Sequence, residues 1–259
     1  MAQSMSVVLL ESMRLRVAVP HRQLIDGFDC AIRAGEFIAL LGGNGTGKSL
    51  LLRTLAGLRA PAAGSVRLEG RDIDSLARRD IATRLGFLPQ DPDATPQGSL
   101  AENVALGRFA HLGLLQMTDA SDSQRVAQAL ADVGLAALAP RELSTLSGGE
   151  QRRAAIARLL VQAPSIYLLD EPTNHLDPAQ QLGILERLRV LTRQGAAVVA
   201  SLHDPNLALR FADRACLLSG RGDAELVDCA ELEPGHLGRL YGLRYAETRL
   251  GTQRFMAPE

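Results

Sequence analysis

The chain has 259 residues, of which 46% are hydrophobic and 22% charged, as in one large globular domain or a domain with an inserted lobe. Its 28 Lys and Arg residues nearly balance 29 Asp and Glu residues, which argues against a general nucleic-acid binder because such proteins carry a basic surplus. The cysteines, Cys30, Cys216 and Cys229, are far apart and form no CxxC pair, so we expect reduced thiols rather than disulfides or a metal site. We expect neither a signal peptide nor a membrane span, because no apolar stretch approaches the roughly 20 residues that cross a bilayer.

The first third of the chain predicts strands around one glycine-rich loop. Residues 7–38 favour short antiparallel strands, and the continuous apolar run 37–41 predicts a buried strand. A helix should follow the loop and end at Gly57, since glycine commonly ends a helix. Residues 61–70 favour a turn and a strand, and residues 85–90 a strand that Pro89 ends.

The composition changes near residue 92, where Pro, Gly and Asp are frequent, and residues 99–162 have mostly helical spacing. Strand and helix alternation returns after Pro164, with a strand over 166–170, a helix over 179–193 and a strand over 196–202. Residues 221–259 are expected to form small appended elements. The pattern predicts one domain over 1–259, with a core formed by 1–91 and 163–259 and a helical subdomain over 92–162.

The loop after the first buried strand fits a phosphate-binding pattern, and a helix follows it as that pattern requires. Its glycines let backbone N–H groups turn toward phosphate oxygens, and the helix N-terminus adds partial positive charge. Lys48 should reach the β and γ phosphates, and the Ser49 hydroxyl should bind Mg²⁺. The alternative, a glycine-rich turn with an incidental lysine, is disfavoured by this context. The predicted nucleotide contacts are Gly42, Gly43, Asn44, Gly45, Thr46, Gly47, Lys48 and Ser49.

Two carboxylates end the apolar strand that follows Pro164. Asp170 should hold Mg²⁺ through its water shell, because Mg²⁺ dehydrates reluctantly. Glu171 is then placed to orient and deprotonate an attacking water. The alternative, an ordinary acidic strand end, is disfavoured by Pro172 and Asp177, which complete the family pattern named below.

The segment 146–151 reads Leu-Ser-Gly-Gly-Glu-Gln and lies shortly before Asp170. Ser147 with Glu150 three residues later has the spacing of a capping box, so the segment could be only a helix start. A helix start with bare glycines is also an anion site.

The phosphate loop, this segment and the acidic strand end occur in the order found in ATP-binding cassette (ABC) proteins, and the chain resembles that family over nearly its whole length. The resemblance implies an α/β P-loop NTPase (RecA-like) core with an antiparallel β-subdomain and an inserted α-helical subdomain. It implies an ATPase that uses ATP and Mg²⁺ and works as a homodimer. The signature residues of one copy, Ser147, Gly148, Gly149 and Gln151, would bind the γ-phosphate held by the phosphate loop of the other.

The same resemblance assigns roles to residues that are weak signals alone. Gln90 resembles the Q-loop glutamine, which touches Mg²⁺ and senses a permease, and His203 resembles the switch histidine, which contacts the γ-phosphate. The implied catalytic residues are Lys48, Glu171 and His203, and the implied metal-site residues are Ser49, Gln90 and Asp170. Asp177 resembles the aspartate that contacts the other subunit. The remaining histidines, His21, His111, His175 and His236, have no ligand spacing and are expected on the surface or in loops.

One position departs from the family pattern. Many cassettes stack an aromatic ring on adenine, and alignment places Val17 at that position, where it cannot stack. We hypothesise weaker ATP affinity and looser base selectivity, with His21 or Arg22 as possible substitutes.

Two segments resemble importers of cobalamin, ferric siderophores and haem: residues 103–111 after Gln90, and the tail around 240–245. The implied protein is a motor on the cytoplasmic face of the inner (plasma) membrane, held there by a separate transmembrane permease that docks near residues 91–115. It would depend indirectly on a periplasmic substrate-binding protein and would bind no nucleic acid. Other readings stay open: an exporter motor shares every catalytic motif, soluble cassette proteins usually carry two cassettes, and a P-loop kinase or GTPase would not need residues 146–151.

Overall fold

A computed structural model describes residues 7–90, 97–112 and 120–259 of the chain. Its strands are β1 (Val8–Val19), β2 (Arg22–Arg33), β3 (Phe37–Leu41), β4 (Ala63–Leu68), β5 (Arg71–Asp72), β6 (Leu85–Leu88), β7 (Ile166–Leu169), β8 (Ala197–Ser201), β9 (Arg214–Leu218), β10 (Ala224–Asp228), β11 (Tyr245–Leu250) and β12 (Gln253–Pro258). Its α-helices are α1 (Lys48–Leu55), α2 (Arg78–Arg84), α3 (Leu100–Ala105), α4 (Ala120–Asp132), α5 (Gly148–Gln162), α6 (Pro178–Arg193), α7 (Pro205–Phe211) and α8 (Pro234–Tyr241).

The central sheet has the strand order β10-β9-β3-β8-β7-β6 and is parallel except for β10. Every residue of β3, β7 and β8 is buried, as continuous apolar runs predict for strands covered on both faces. Side chains alternate between faces along β3. Phe37, Ala39 and Leu41 pack under the helices, whereas Ile38 and Leu40 pack with α1 and the second sheet.

The second sheet is antiparallel, with the order β2-β1-β4-β5. The sequence predicts short strands over residues 7–38, and this detail is wrong: β1 and β2 are each 12 residues long. Several register shifts interrupt their pairing, and such bulges let long strands bend over α1. The tight turn between the strands has His21 at φ 63°, a left-handed conformation.

Helices α3, α4 and α5, with short 3₁₀ turns, lie between β6 and β7 in the chain, as the composition predicts. Helix α5 ends at Gln162, where the sequence sets the end of the helical subdomain, whereas the other boundary at residues 91 and 92 lies outside the described residues. The division into core and subdomain therefore stays a prediction. After β10, helix α8 and a hairpin of β11 and β12 form the appended elements.

Candidate active site

Four parallel strands, β3, β6, β7 and β8, bring the predicted residues to one edge of the central sheet. Their carboxyl ends lead to the phosphate loop, to Gln90, to Asp170 with Glu171, and to His203, respectively. Ligands of open α/β sheets bind outside the carboxyl ends of the strands. One cleft of about 550 Å³ at this edge is lined by residues 44–50 of the loop together with Gln90, Glu171, Asn174 and His203.

The phosphate loop wraps around the Lys48 side chain, which is 6% exposed. The Lys48 Nζ donates hydrogen bonds to the carbonyl oxygens of Gly42 (2.7 Å) and Gly43 (3.0 Å). Burial lowers the pKa of Lys48, and the nearby carboxylates of Glu171 and Asp170 act in the opposite direction. Glycine is required at position 42, because a Cβ there would lie 2.6 Å from the Leu218 carbonyl oxygen. The loop is thus shaped to hold one cation next to a helix N-terminus, a geometry suited to phosphate.

Glu171 occupies a strained position at the end of β7. Its φ of 51° lies in the left-handed region, which costs a non-glycine residue roughly 1–2 kcal/mol. Its carboxylate is fixed on both sides: His203 Nε2 lies 2.8 Å from Oε1, and Asn174 Nδ2 donates to Oε2 at 2.5 Å. A carboxylate so oriented in the cleft can position and deprotonate a water molecule.

Sequence reasoning missed Ser201, the last residue of β8, which is fully buried. Its Oγ donates to Asp170 Oδ1 at 2.8 Å and accepts from the Glu171 backbone N–H at 2.7 Å. One hydroxyl therefore sets the relative positions of both acidic residues. A serine at the end of an apolar strand gave no signal of this contact, because the pairing joins neighbouring strands that are distant in the chain.

A magnesium site fits the chemistry of the predicted donors. Hydroxyl, carboxylate and amide oxygens from Ser49, Asp170 and Gln90 are hard ligands of the kind Mg²⁺ prefers, and Mg²⁺ bound with ATP also uses phosphate oxygens and water. Across residues 7–90, 97–112 and 120–259 there is no group of three His, Cys, Asp or Glu side chains that could hold a metal unaided.

The segment 147–151 is not brought to this cleft. It opens α5 on the surface, where Ser147 and Gly148 are exposed. The capping box forms as predicted: Ser147 Oγ accepts from the Glu150 N–H (3.4 Å), and the Ser147 N–H donates to Glu150 Oε2 (2.8 Å). The Gln151 amide donates to the carbonyls of Leu143 (3.3 Å) and Leu146 (3.0 Å), which fixes the preceding loop. The signature segment therefore does not line the cleft around the chain's own phosphate loop.

Arg152 connects α5 to the strand ends that carry Gln90 and Glu171, and sequence reasoning missed it. Its guanidinium, in a residue only 8% exposed, donates to the backbone carbonyls of Pro89 (2.5 Å), Gln90 (3.0 Å), Asp170 and Glu171 (2.8 Å). A planar fork of donors suits such a convergent set of acceptors. The helix that carries the signature segment is thereby bonded to the loops of Gln90 and Glu171.

The structure corrects the alignment at the base-binding position. Val17 is 1% exposed and packs in the core between the two sheets, so it does not line the cleft. The cleft wall beside the phosphate loop is formed by Val19, Arg22 and Leu24. The Arg22 guanidinium is held there by a hydrogen bond from Nη2 to the Gly220 carbonyl oxygen at 3.0 Å. Bulged pairing in β1 shifts which residue points outward, and an ungapped alignment could not anticipate that shift.

The remaining predicted residues have local roles. Asp177 caps α6, its carboxylate accepting from the Gln180 N–H at 2.9 Å. His111 lies with its Nε2 2.7 Å from the Gln162 carbonyl oxygen, and His236 accepts the Glu233 N–H through Nδ1.

Comparison with known proteins identifies the family. The family model for ABC transporters matches residues 25–174. The chain belongs to the ABC transporter family. It is an ABC-type ATPase with the P-loop NTPase fold, as the motif order predicts. Among similar curated proteins is the hemin import ATP-binding protein HmuV of Bradyrhizobium diazoefficiens, 42% identical over 82% of this chain and 80% of that protein. Another is the ferric enterobactin transport ATP-binding protein FepC of Escherichia coli, 37% identical over 92% of this chain and 89% of that protein.

Solved cassettes have the same architecture. A chain of a transporter assigned to the metal-chelate type, in an inward-facing conformation, superposes with a TM-score of 0.82 at 27% identity, covering 97% of this ABC protein and 98% of that chain. The dimeric cassette MJ0796 superposes with a TM-score of 0.77 at 27% identity, covering 85% of this chain and 99% of that one. ATP binding by this family member follows from these likenesses. No helix among the described residues has the length and apolar character needed to cross a membrane.

Proposed function

We propose that this chain is the motor subunit of an importer for a metal chelate, hydrolysing ATP to drive a separate permease. The observation that carries the proposal is the convergence of the phosphate loop, Glu171 and His203 in one cleft of a chain whose relatives are named for hemin and ferric enterobactin transport.

Different residues of the chain have different roles in binding and hydrolysis of ATP. Lys48 and the amides of residues 42–49 hold the β and γ phosphates, and His203 stabilises the γ-phosphate. Glu171 orients the attacking water and accepts its proton, while Asn174 and His203 hold its carboxylate in place. Mg²⁺, bound by Ser49, Gln90 and Asp170 together with ATP, would supply charge neutralisation on the phosphates.

Hydrolysis by this arrangement requires a second copy. The start of α5 at Ser147 and Gly148 is exposed and offers an anion site, yet neither residue lines the cleft around the phosphate loop of its own chain. In a head-to-tail homodimer, each copy would complete the site of the other. The dimeric state of the related cassette MJ0796 supports this assembly.

The permease would dock on the described part of the segment predicted for it. Phe109 is 71% exposed and Leu106 is 42% exposed, and apolar surface of this kind marks an interaction site. Hydrogen bonds from the Arg79 guanidinium to the carbonyls of Ala110 and Leu112, and an Arg108–Asp122 ion pair at 2.7 Å, hold this segment in shape. Residues 91–96 and 113–115 of the predicted face lie outside the described residues.

The substrate class follows from the relatives. Their names favour haem or a ferric siderophore, whereas cobalamin rests on sequence resemblance in the tail. Docked on its permease, the protein would work at the cytoplasmic face of the plasma membrane, supplied indirectly by a periplasmic binding protein.

Uptake measurements test the proposal. Cells that lack the gene are complemented with the wild-type chain, with Lys48→Ala or with Phe109→Asp, and are given labelled haem, ferric siderophore or cobalamin. The chelate whose uptake is lost in both the Lys48→Ala and the Phe109→Asp cells is the substrate. Normal ATPase activity of the purified Phe109→Asp protein would then assign its uptake defect to docking on the permease. Unchanged uptake of all three chelates in the Lys48→Ala cells would reject the importer assignment and favour an exporter.

A further inference from the structure

The C-terminal hairpin, β11 with β12, is bonded to the segment that carries His203. Helix α7 begins two residues after His203, and its Asn206 side chain contacts the backbone of Met256 in β12. The Asn206 Nδ2 donates to the Met256 carbonyl oxygen at 3.2 Å, and its Oδ1 accepts from the Met256 N–H at 2.7 Å. One side-chain amide therefore pairs with the strand edge as a neighbouring strand would.

The hairpin is fixed at two further points. The Met256 side chain is 2% exposed and packs in the same core cluster as Ala208 and Phe211 of α7. The Arg254 guanidinium donates to the carbonyls of Ala230 (2.7 Å) and Leu232 (2.6 Å) and to Glu247 Oε2 (2.8 Å). A two-stranded hairpin is marginally stable alone, so these contacts fix its position against α7.

His203 needs support of this kind. Its side chain is half-exposed, and it sits in the short link between β8, whose last residue Ser201 is buried in the central sheet, and α7. The β8 end of the link is therefore held by the sheet. The α7 end is held by Ala208 and Phe211 in the core and by the Asn206 amide on the hairpin.

We propose that the hairpin β11–β12, acting through Asn206, positions His203 against Glu171 for hydrolysis. Asn206 is a positioning residue in this account, since it does not line the cleft and acts through the segment that carries His203. The inference rests on the role of His203 proposed above. Its consequence is that loosening the tail slows the chemical step and leaves ATP binding by the phosphate loop intact.

The test is a double-mutant cycle on the full-length protein with Asn206→Ala and His203→Ala, using radiolabelled ATP to detect slow turnover. Asn206→Ala should lower kcat about tenfold, a smaller loss than the roughly 100-fold that a 1 Å misplacement of a catalytic group can cause, while KM and the Kd of a fluorescent ATP analogue change less than about twofold. In the His203→Ala background, Asn206→Ala should change kcat less than about twofold, since residues that act through one another are not additive.

Two more variants keep the test decisive. Met256→Ala keeps the backbone contact and loosens the hairpin's core anchor, so it should reproduce the fall in kcat in weaker form. Arg249→Ala is the matched control, because Arg249 lies on the same hairpin, pairs with Glu247 at 3.3 Å and is 67% exposed. It should leave kcat unchanged.

If the Asn206→Ala and His203→Ala effects on kcat simply multiply in the double variant, Asn206 does not act through His203 and the proposal fails. It also fails if Asn206→Ala lowers the Tm but leaves kcat at the wild-type value. An undiminished kcat in His203→Ala alone would instead overturn the role proposed for His203, so the two failures are distinguishable.

Discussion

The phosphate loop and the signature segment are both glycine-containing helix starts, yet their surroundings differ. The loop lies in a cleft, where its Lys48 is 6% exposed and bonded to two loop carbonyls, and acidic and histidine side chains line the same cleft. Ser147 and Gly148 are exposed and do not line that cleft, and Gly148 borders a separate cavity of about 210 Å³ with Gln90 and His175. The difference teaches that one helix start lies in a cleft of its own chain, whereas the other lies open on the surface, where the function proposed above places a partner's phosphate.

The two regions are nevertheless mechanically joined. Arg152, in the second turn of the signature helix, bonds to backbone carbonyls on either side of the cleft, at Gln90 and at Glu171. A partner's phosphate bound at Ser147 would therefore act on a helix that is hydrogen-bonded to Glu171, the proposed catalytic base. This connection gives a physical route by which dimer closure could be sensed at Glu171.

The largest effects on ATP binding and turnover should come from substitutions that disable the phosphate loop or the signature segment separately. Lys48→Ala should abolish ATP binding by the monomer, whereas Ser147→Arg should keep that binding and lose at least about 100-fold in turnover through loss of the partner's anion site. Because Lys48 is the only lysine in the sequence, protection of its amine by ATP from an acylating reagent measures binding directly in Ser147→Arg. Normal turnover in Ser147→Arg would break the comparison.

Next in size is the connection between the regions. Arg152→Met should lower the free energy of unfolding by about 3 kcal/mol, since it leaves buried carbonyls without their charged donor. Arg153→Met is the matched control, because the neighbouring Arg153 bonds to one carbonyl only among the contacts described, that of Val133 at 3.0 Å. Equal denaturant midpoints for the two variants would count against the structural role of Arg152.

A smaller effect is expected at the base-binding wall of the cleft. If the Arg22 guanidinium stacks on the base, Arg22→Ala should weaken ATP binding about tenfold, as loss of one stacking contact does, and leave binding of inorganic tripolyphosphate unchanged. Titration calorimetry with both ligands, and with GTP, measures this directly. If Arg22→Ala weakens the binding of ATP and of tripolyphosphate equally, Arg22 contacts the phosphates instead of the base.

The smallest effect concerns the cap of the signature helix. Hydrogen bonds from the Ser147 backbone and hydroxyl lower the pKa of Glu150. A carboxylate with a lowered pKa stabilises the fold at pH values above its unfolded pKa, and this contribution is lost as the pH falls through the folded value. Ser147→Ala should raise the Glu150 pKa toward its ordinary value without abolishing folding, as followed by NMR titration. An unchanged pKa would mean that the backbone donor alone sets it.

Much of the fold was predictable because local pattern and environment agree. The apolar runs of β3, β7 and β8 are buried strands, and the Ser147–Glu150 spacing is a capping box. Motif spacing predicted the phosphate loop, Glu171 and His203, which converge because parallel strands end at one edge of the sheet. The roles of these residues stay predictions until tested.

The missed features depend on contacts between residues that are distant in the chain. Ser201 and Arg152 act through backbone groups of other elements, and Asn206 meets a strand 50 residues later. Val17 was misassigned because bulges in β1 break the simple alternation of faces. Periodicity and motifs carry no information about such pairings.

Assembly in the presence of nucleotide tests the central claim most directly. Glu171→Gln should bind Mg-ATP and hydrolyse it at about a thousandth of the normal rate or less, so that the bound state accumulates. Sedimentation velocity of this variant with saturating Mg-ATP should give a species of twice the 27.7 kDa chain mass, and the same variant carrying Ser147→Arg should stay monomeric. A nucleotide-saturated Glu171→Gln protein that remains a 27.7 kDa monomer would contradict a site shared between two copies.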